Sequence, residues 1–160
     1  MEYRFTPWRN AYIQRAGKHR GCIFCNALKQ KDDRKARIVH RGQHCFIILN
    51  AYPYNSGHVM VVPNQHVDQL QKLPQATAHE MIDLSQRVEA ALRKAYKARG
   101  INLGMNIGDC AGAGVIGHIH MHVLPRWTGD TNFMTAVAAT RTLPETLDQT
   151  YQKLKGALRS

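Results

Sequence analysis

The seven residues His118-Ile119-His120-Met121-His122-Val123-Leu124 alternate imidazoles with apolar side chains. A β-strand has a side-chain period of two, so this pattern places the three imidazoles on one face. Ile119, Met121 and Val123 then point the other way, into a core. Pro125 is expected to end the strand, because proline cannot donate to a central ladder. A single strand histidine is ordinarily structural, and a metal-binding or merely half-buried strand is the plain alternative. Three histidines on one face concentrate groups that act as ligand, base and nucleophile near neutral pH.

The stretch upstream runs Asn106-Ile107-Gly108-Asp109-Cys110-Ala111-Gly112-Ala113-Gly114. Its glycines allow a backbone whose N–H groups converge on an anion. Alone it reads as a turn; beside a histidine-faced strand it suggests a phosphate cradle. With these residues on the page, the chain resembles the histidine triad (HIT) superfamily, whose signature His-x-His-x-His-x-x has apolar x positions. Residues His118 to Leu124 match it throughout, and the resemblance extends to Asn50, Gly57 to Pro63 and His66.

Charge and length agree with a small basic domain. The 160 residues suit one domain, with 1–20 as an N-terminal arm and 141–160 as a C-terminal helical tail. The net charge of +11 favours an anionic partner such as a nucleotide or polyphosphate. A basic solvated surface without a specific ligand is the plain alternative that charge alone leaves open, and nucleic acid is not the expected partner. No apolar run approaches the ~20 residues that span a bilayer. The first residues lack the apolar segment of a signal peptide, so the expectation is a cytoplasmic protein without a membrane partner.

The remaining pattern predicts the architecture. Arg37 to His40, Cys45 to Asn50 and Gly57 to Pro63 read as strands, the second apolar throughout and so covered on both faces. A helix is expected from about Pro74 to Arg99, burying Met81, Leu84, Val88, Ala91, Leu92 and Ala95 at 3–4 spacing, with Gly100 just past its end. Residues 101–107 form a strand before the glycine-rich loop. Leu147, Tyr151, Leu154 and Leu158 mark a terminal amphipathic helix. Lys31 to Lys35 reads as a solvated charged loop. Antiparallel strands with helices packed on them give an α+β fold. The HIT resemblance implies a five-stranded antiparallel sheet with a long helix and a C-terminal helix, usually assembled as a homodimer.

The resemblance also implies the chemistry. His120, the middle member of the triad, would be the nucleophile that takes a nucleotidyl group from its α-phosphorus. His122 and His58 would meet phosphate oxygens, Asn106 would donate its amide there, and Asn50 would hold the ribose hydroxyls. Backbone N–H groups of Ala113, Gly114 and Val115 would complete the cradle. Many relatives carry a glutamine and a hydroxyl residue where this chain has Gly114 and Val115. Cys22 and Cys25 form a Cys-x-x-Cys pair that supplies half of a tetrahedral zinc site or a redox couple. In zinc-bearing relatives the other two ligands match His66 and His118, which makes a closed structural zinc site. Residues Asp130 to Met134, after Trp127, resemble a bacterial branch related to diadenosine tetraphosphate phosphorylases. Arg126 and Arg141 are candidates for distal phosphates. The expected enzyme transfers a nucleotidyl group from a dinucleoside polyphosphate to phosphate or water. A nucleoside phosphoramidate hydrolase and a non-catalytic, zinc-braced nucleic-acid-binding module are the alternatives.

Overall fold

A computed structural model describes residues 21–130 and 143–159. The N-terminal arm, Arg141 and the segment from Thr131 lie outside them. Five strands form one sheet: β1 (Ile38–Arg41), β2 (Cys45–Leu49), β3 (Val59–Pro63), β4 (Gly100–Gly104) and β5 (Met121–Arg126). Their order is β1-β2-β3-β5-β4, and every neighbouring pair is antiparallel. The helices are α1 (Ile23–Leu28), α2 (Asp33–Ala36), α3 (Gln75–Tyr96) and α4 (Leu147–Ala157). The fold is α+β, as the pattern predicts.

Both faces of the sheet are covered. On one, Cys45, Ile47, Leu49, Val59, Val61 and Val123 meet Met81, Leu84, Val88 and Leu92 of α3 and Tyr151 and Leu154 of α4. On the other, Phe46, Ile48, Met60 and Val62 pack with Phe24 and Ala27 of α1. Every residue of β2 and β3 is therefore buried, which is why β2 is an unbroken apolar run. Burying a side chain of this size contributes roughly 1.5–3 kcal/mol.

Four local expectations change. Lys31 to Lys35 is not a bare loop, because the Asp32 carboxylate accepts the backbone N–H groups of Arg34 and Lys35 and caps α2. The long helix ends at Lys97, which takes the left-handed conformation at φ 50°. Gly100 opens β4 instead, since the chain must straighten early for Arg99 N–H to reach the Arg126 carbonyl. As part of the same change at the helix end, Ala95 is only half-buried. Pro125 does not end β5. Pairing with β3 stops at Val59–Val123, so Pro125 pairs on one side only, with Ile101, and its missing N–H leaves no partner unsatisfied in β3.

The histidine segment is the fourth change. The ladder begins at Met121, and His118 to His120 precede it. There Ile119 N–H donates to the Val67 carbonyl in the loop beyond β3, and the His118 carbonyl meets the His120 ring instead of a neighbouring strand. The period-two reading of faces still holds. Ile119 and Val123 are buried on one side, and the imidazoles lie on the other, with Phe24.

Candidate functional site

His120 is 4% exposed, and its Nδ1 lies 3.0 Å from the His118 carbonyl. A carbonyl only accepts, so Nδ1 carries the proton and Nε2 keeps its lone pair. Burial pushes the His120 pKa down, with the carbonyl contact opposing it. The result is a neutral imidazole with one fixed proton and one free nitrogen, the form that attacks an electrophile.

The His122 ring stands 4.9 Å from that of His120, centroid to centroid. Its tautomer follows from a chain of partners. Tyr54 N–H donates to His58 Nδ1 at 3.1 Å, so the His58 proton sits on Nε2. That Nε2–H points at His122 Nδ1, 2.9 Å away, and His122 is left with its proton on Nε2. Asn50 Oδ1 accepts from Tyr52 N–H, and its amide nitrogen lies 3.3 Å from His58 Nε2, a contact between two donors in this tautomer and not a hydrogen bond. Gly57, with φ +84°, makes the approach to His58 possible, because a Cβ there would stand 3.0 Å from Leu92 and 3.2 Å from Pro125. His58 is buried with both nitrogens engaged, so the described geometry makes it the orienter of His122.

Burial, with neighbouring imidazoles behind it, pushes His58 down to about 3 and His122 down to about 4. In the unfolded chain both titrate near 6.5. The unfolded state therefore binds protons that the folded state refuses. This contribution to stability is complete above pH 6.5 and is lost as pH falls toward 4. The expected slope for two such groups is about 2–3 kcal/mol per pH unit. Thermal denaturation of wild type and His122→Asn between pH 7 and 4 checks it. The wild type should lose stability more steeply, and equal slopes would remove the pair as the cause.

Cys22, Cys25, His66 and His118 bring one ligand atom each within 4.8 Å of one another. Cys22 Sγ is 3.3 Å and Cys25 Sγ 3.7 Å from His118 Nδ1, and Cys25 Sγ is 3.4 Å from His66 Nδ1. Ligands on a tetrahedral zinc, at ~2.3 Å for sulfur and ~2.0 Å for nitrogen, stand about 3.5 Å apart. The set fits that ion. His118 Nε2 donates to the Pro63 carbonyl at 2.9 Å, which turns an unprotonated Nδ1 toward the thiols, as an outer partner does for a metal-bound histidine. Gly117, the residue before His118, lies against the His66 ring, where a Cβ would make an ordinary contact at 3.4 Å from Nε2.

The glycine-rich loop is less directly built. Ala113 N–H is used within the loop, on Gly108 at 3.4 Å, and Gly108 and Gly112 take positive φ. The Val115 side chain packs on the α1-side core. Among the described residues, no hydrogen bond joins Asn106, Ala113, Gly114 or Val115 to the histidines. Arg126 pairs with Asp130 and Asn102, and this network, with Asn55 donating to Pro125 and Asp130, ties down the turn after β5. Sequence reading missed the Tyr54 N–H, the Pro63 carbonyl and Phe24. Only Phe24 had a signal, since it is the aromatic enclosed by the two cysteines.

A HIT domain family model matches residues 31–129. The chain belongs to the HIT domain family. Among its relatives within that family, an AP-4-A phosphorylase from Mycobacterium tuberculosis is 35% identical over 161 residues, covering 96% of this chain and 83% of that protein. The crystal structure of a Zn-bound histidine triad family protein from Mycobacterium smegmatis superposes with a TM-score of 0.70 at 28% identity, over 87% of this chain and 94% of that one. A hypothetical histidine triad nucleotide-binding protein from Sulfolobus tokodaii gives 0.69 at 27%, over 86% and 92%. Cys22 and Cys25 precede the matched HIT segment, and His66 and His118 lie inside it.

Proposed function

We propose that this HIT protein transfers a nucleotidyl group from a dinucleoside polyphosphate, such as diadenosine tetraphosphate, through a covalent bond to His120. The observation that carries the reading is the buried, neutral His120 with its proton committed to the His118 carbonyl. In the first step the Nε2 lone pair forms an N–P bond at the α-phosphorus while the bond to the bridging oxygen breaks, and the remaining polyphosphate leaves. In the second, an acceptor oxygen attacks that phosphorus and the N–P bond breaks, which restores the imidazole. His122 Nε2–H serves as a donor to charge that develops on the transferring group. His58 backs it, and Asn50 holds the ribose hydroxyls. Asn106 and the N–H groups of Gly114 and Val115 bind the phosphate from the loop, and the Ala113 N–H joins them by exchanging its Gly108 partner for the phosphate.

Cys22, Cys25, His66 and His118 hold one zinc ion in this reading. With all four positions filled by protein it braces the fold and takes no part in the chemistry. The protein is a homodimer, because β4 is a sheet edge with Leu103 half exposed, an unprotected strand that a second copy covers. The reading places the protein in the cytoplasm, where thiolate ligands stay reduced, and among the described residues no helix is long and apolar enough to cross a membrane.

The acceptor in this reading is phosphate. The similarity to an AP-4-A phosphorylase supports it, as does the loop: Gly114 has no side chain, and Val115 packs its own into the core, which leaves room for a second anion. Diadenosine tetraphosphate with millimolar phosphate should give ADP and ATP, resolved by ion exchange. AMP and ATP as the dominant products would make the enzyme a hydrolase. No turnover, with salt-steep binding of nucleic acid, would refute the reading altogether.

A further inference from the structure

We propose that Phe24 is the positioning residue of His120: the cysteine-bearing knuckle presents an aromatic ring that holds the nucleophile's imidazole in its attacking orientation. The proposal rests on the reading of His120 as the nucleophile.

A nucleophilic imidazole poses a problem of restraint. One ring nitrogen is tethered to the His118 carbonyl, and the other must keep its lone pair. Further orientation has to come from contacts that consume neither. Phe24 supplies one. Its ring centroid lies 5.0 Å from that of His120 at a tilt of 53°, and the His122 ring flanks His120 at 73°. Both rings pack against the imidazole.

The placement of Phe24 follows from the knuckle. Cys22 is the N-cap of α1, and Ile23, Phe24 and Cys25 begin the helix. Successive helical side chains diverge by about 100°, so the two residues between the cysteines separate: Ile23 is 40% exposed and Phe24 1%. The Phe24 ring also meets His118 edge-on at 5.4 Å. His118 faces both cysteines with its side chain and holds His120 with its carbonyl. The cysteine–histidine cluster thus reaches the nucleophile by two routes, the His118 main chain and the Phe24 ring. The knuckle sets the angle of attack as well as bracing the fold.

The test pairs kinetics with NMR of the full-length, metal-loaded protein. Phe24→Leu keeps apolar bulk and removes the flat face. It should lower kcat roughly tenfold to a hundredfold, as misplacement of a reacting group does, with KM within about twofold of wild type. In wild type, NOEs should join the Phe24 ring to the His120 ring, and imidazole ¹⁵N spectra should show a single tautomer with Nδ1 protonated. Stripping the metal with a chelator should weaken those NOEs. Wild-type kcat in Phe24→Leu would overturn the proposal. Should that variant fail to fold, the wild-type NOEs decide: their absence, or their indifference to chelation, overturns it equally. His120→Ala, run alongside, separates this from the underlying reading. Activity retained there removes the nucleophile, whereas activity lost there with Phe24→Leu at full rate removes only Phe24.

Discussion

His120→Ala should lose turnover by at least about ten-thousandfold, with substrate affinity changed no more than severalfold. The size follows from the role. In the proposed mechanism His120 is the group whose lone pair forms the new bond, and the contacts attributed to binding come from Asn50, Asn106, His122 and the loop. The fold should tolerate the change, because alanine removes one ring from the edge of the α1-side core and leaves the main α3-side core untouched. His122→Asn should be milder, on the order of a hundredfold in kcat, as for loss of one donor to developing charge. Steady-state kinetics with equilibrium binding of a nucleotide product checks both. A His120→Ala enzyme with near wild-type kcat would contradict the assignment.

Metal removal should produce the largest change in stability. The four groups tie α1 to the loop after β3 and to the segment before β5, positions 41 to 96 residues apart in the chain. An ion that bridges such distant segments only in the folded state adds its binding free energy to folding. One zinc per chain is expected. Its removal, or Cys25→Ala, should lower the Tm by more than about 10 °C, since 1 kcal/mol moves the Tm of a domain this size by about 2–4 °C. Elemental analysis of untagged protein and calorimetry with and without chelator provide the check. Protein free of zinc, with titratable thiols and a Tm unmoved by chelator, would contradict it.

The site was legible where its chemistry lies in side-chain type and spacing. The alternation at His118 to Leu124 placed three imidazoles on one face, and Cys22, Cys25, His66 and His118 do converge. Expectation and structure part where backbone groups orient the side chains. No residue type marks the Tyr54 N–H that sets the His58 tautomer, or the Pro63 carbonyl that aims His118, because every residue but proline offers the same N–H. The helix end shows the same limit: Gly100 was the residue suited to a left-handed turn, yet the Arg99–Arg126 hydrogen bond moved that turn to Lys97. Pro125 misled because the rule against proline in strands holds for ladders on both sides, and β5 has lost one of its neighbours at that point. The role of Phe24 is not visible in the sequence, because an aromatic between two cysteines has no fixed direction until the helix that begins there turns it inward.

The central claim is that the nucleotidyl group passes through His120, and the direct measurement is to catch it there. Enzyme mixed with substrate labelled at the α-phosphorus, then quenched in base and digested, should yield one labelled peptide. That peptide should contain His120, and the label should be stable to alkali and released by acid, as a phosphorus–nitrogen bond requires. Inversion at the α-phosphorus with no labelled peptide during turnover, or label on another residue, would contradict the account.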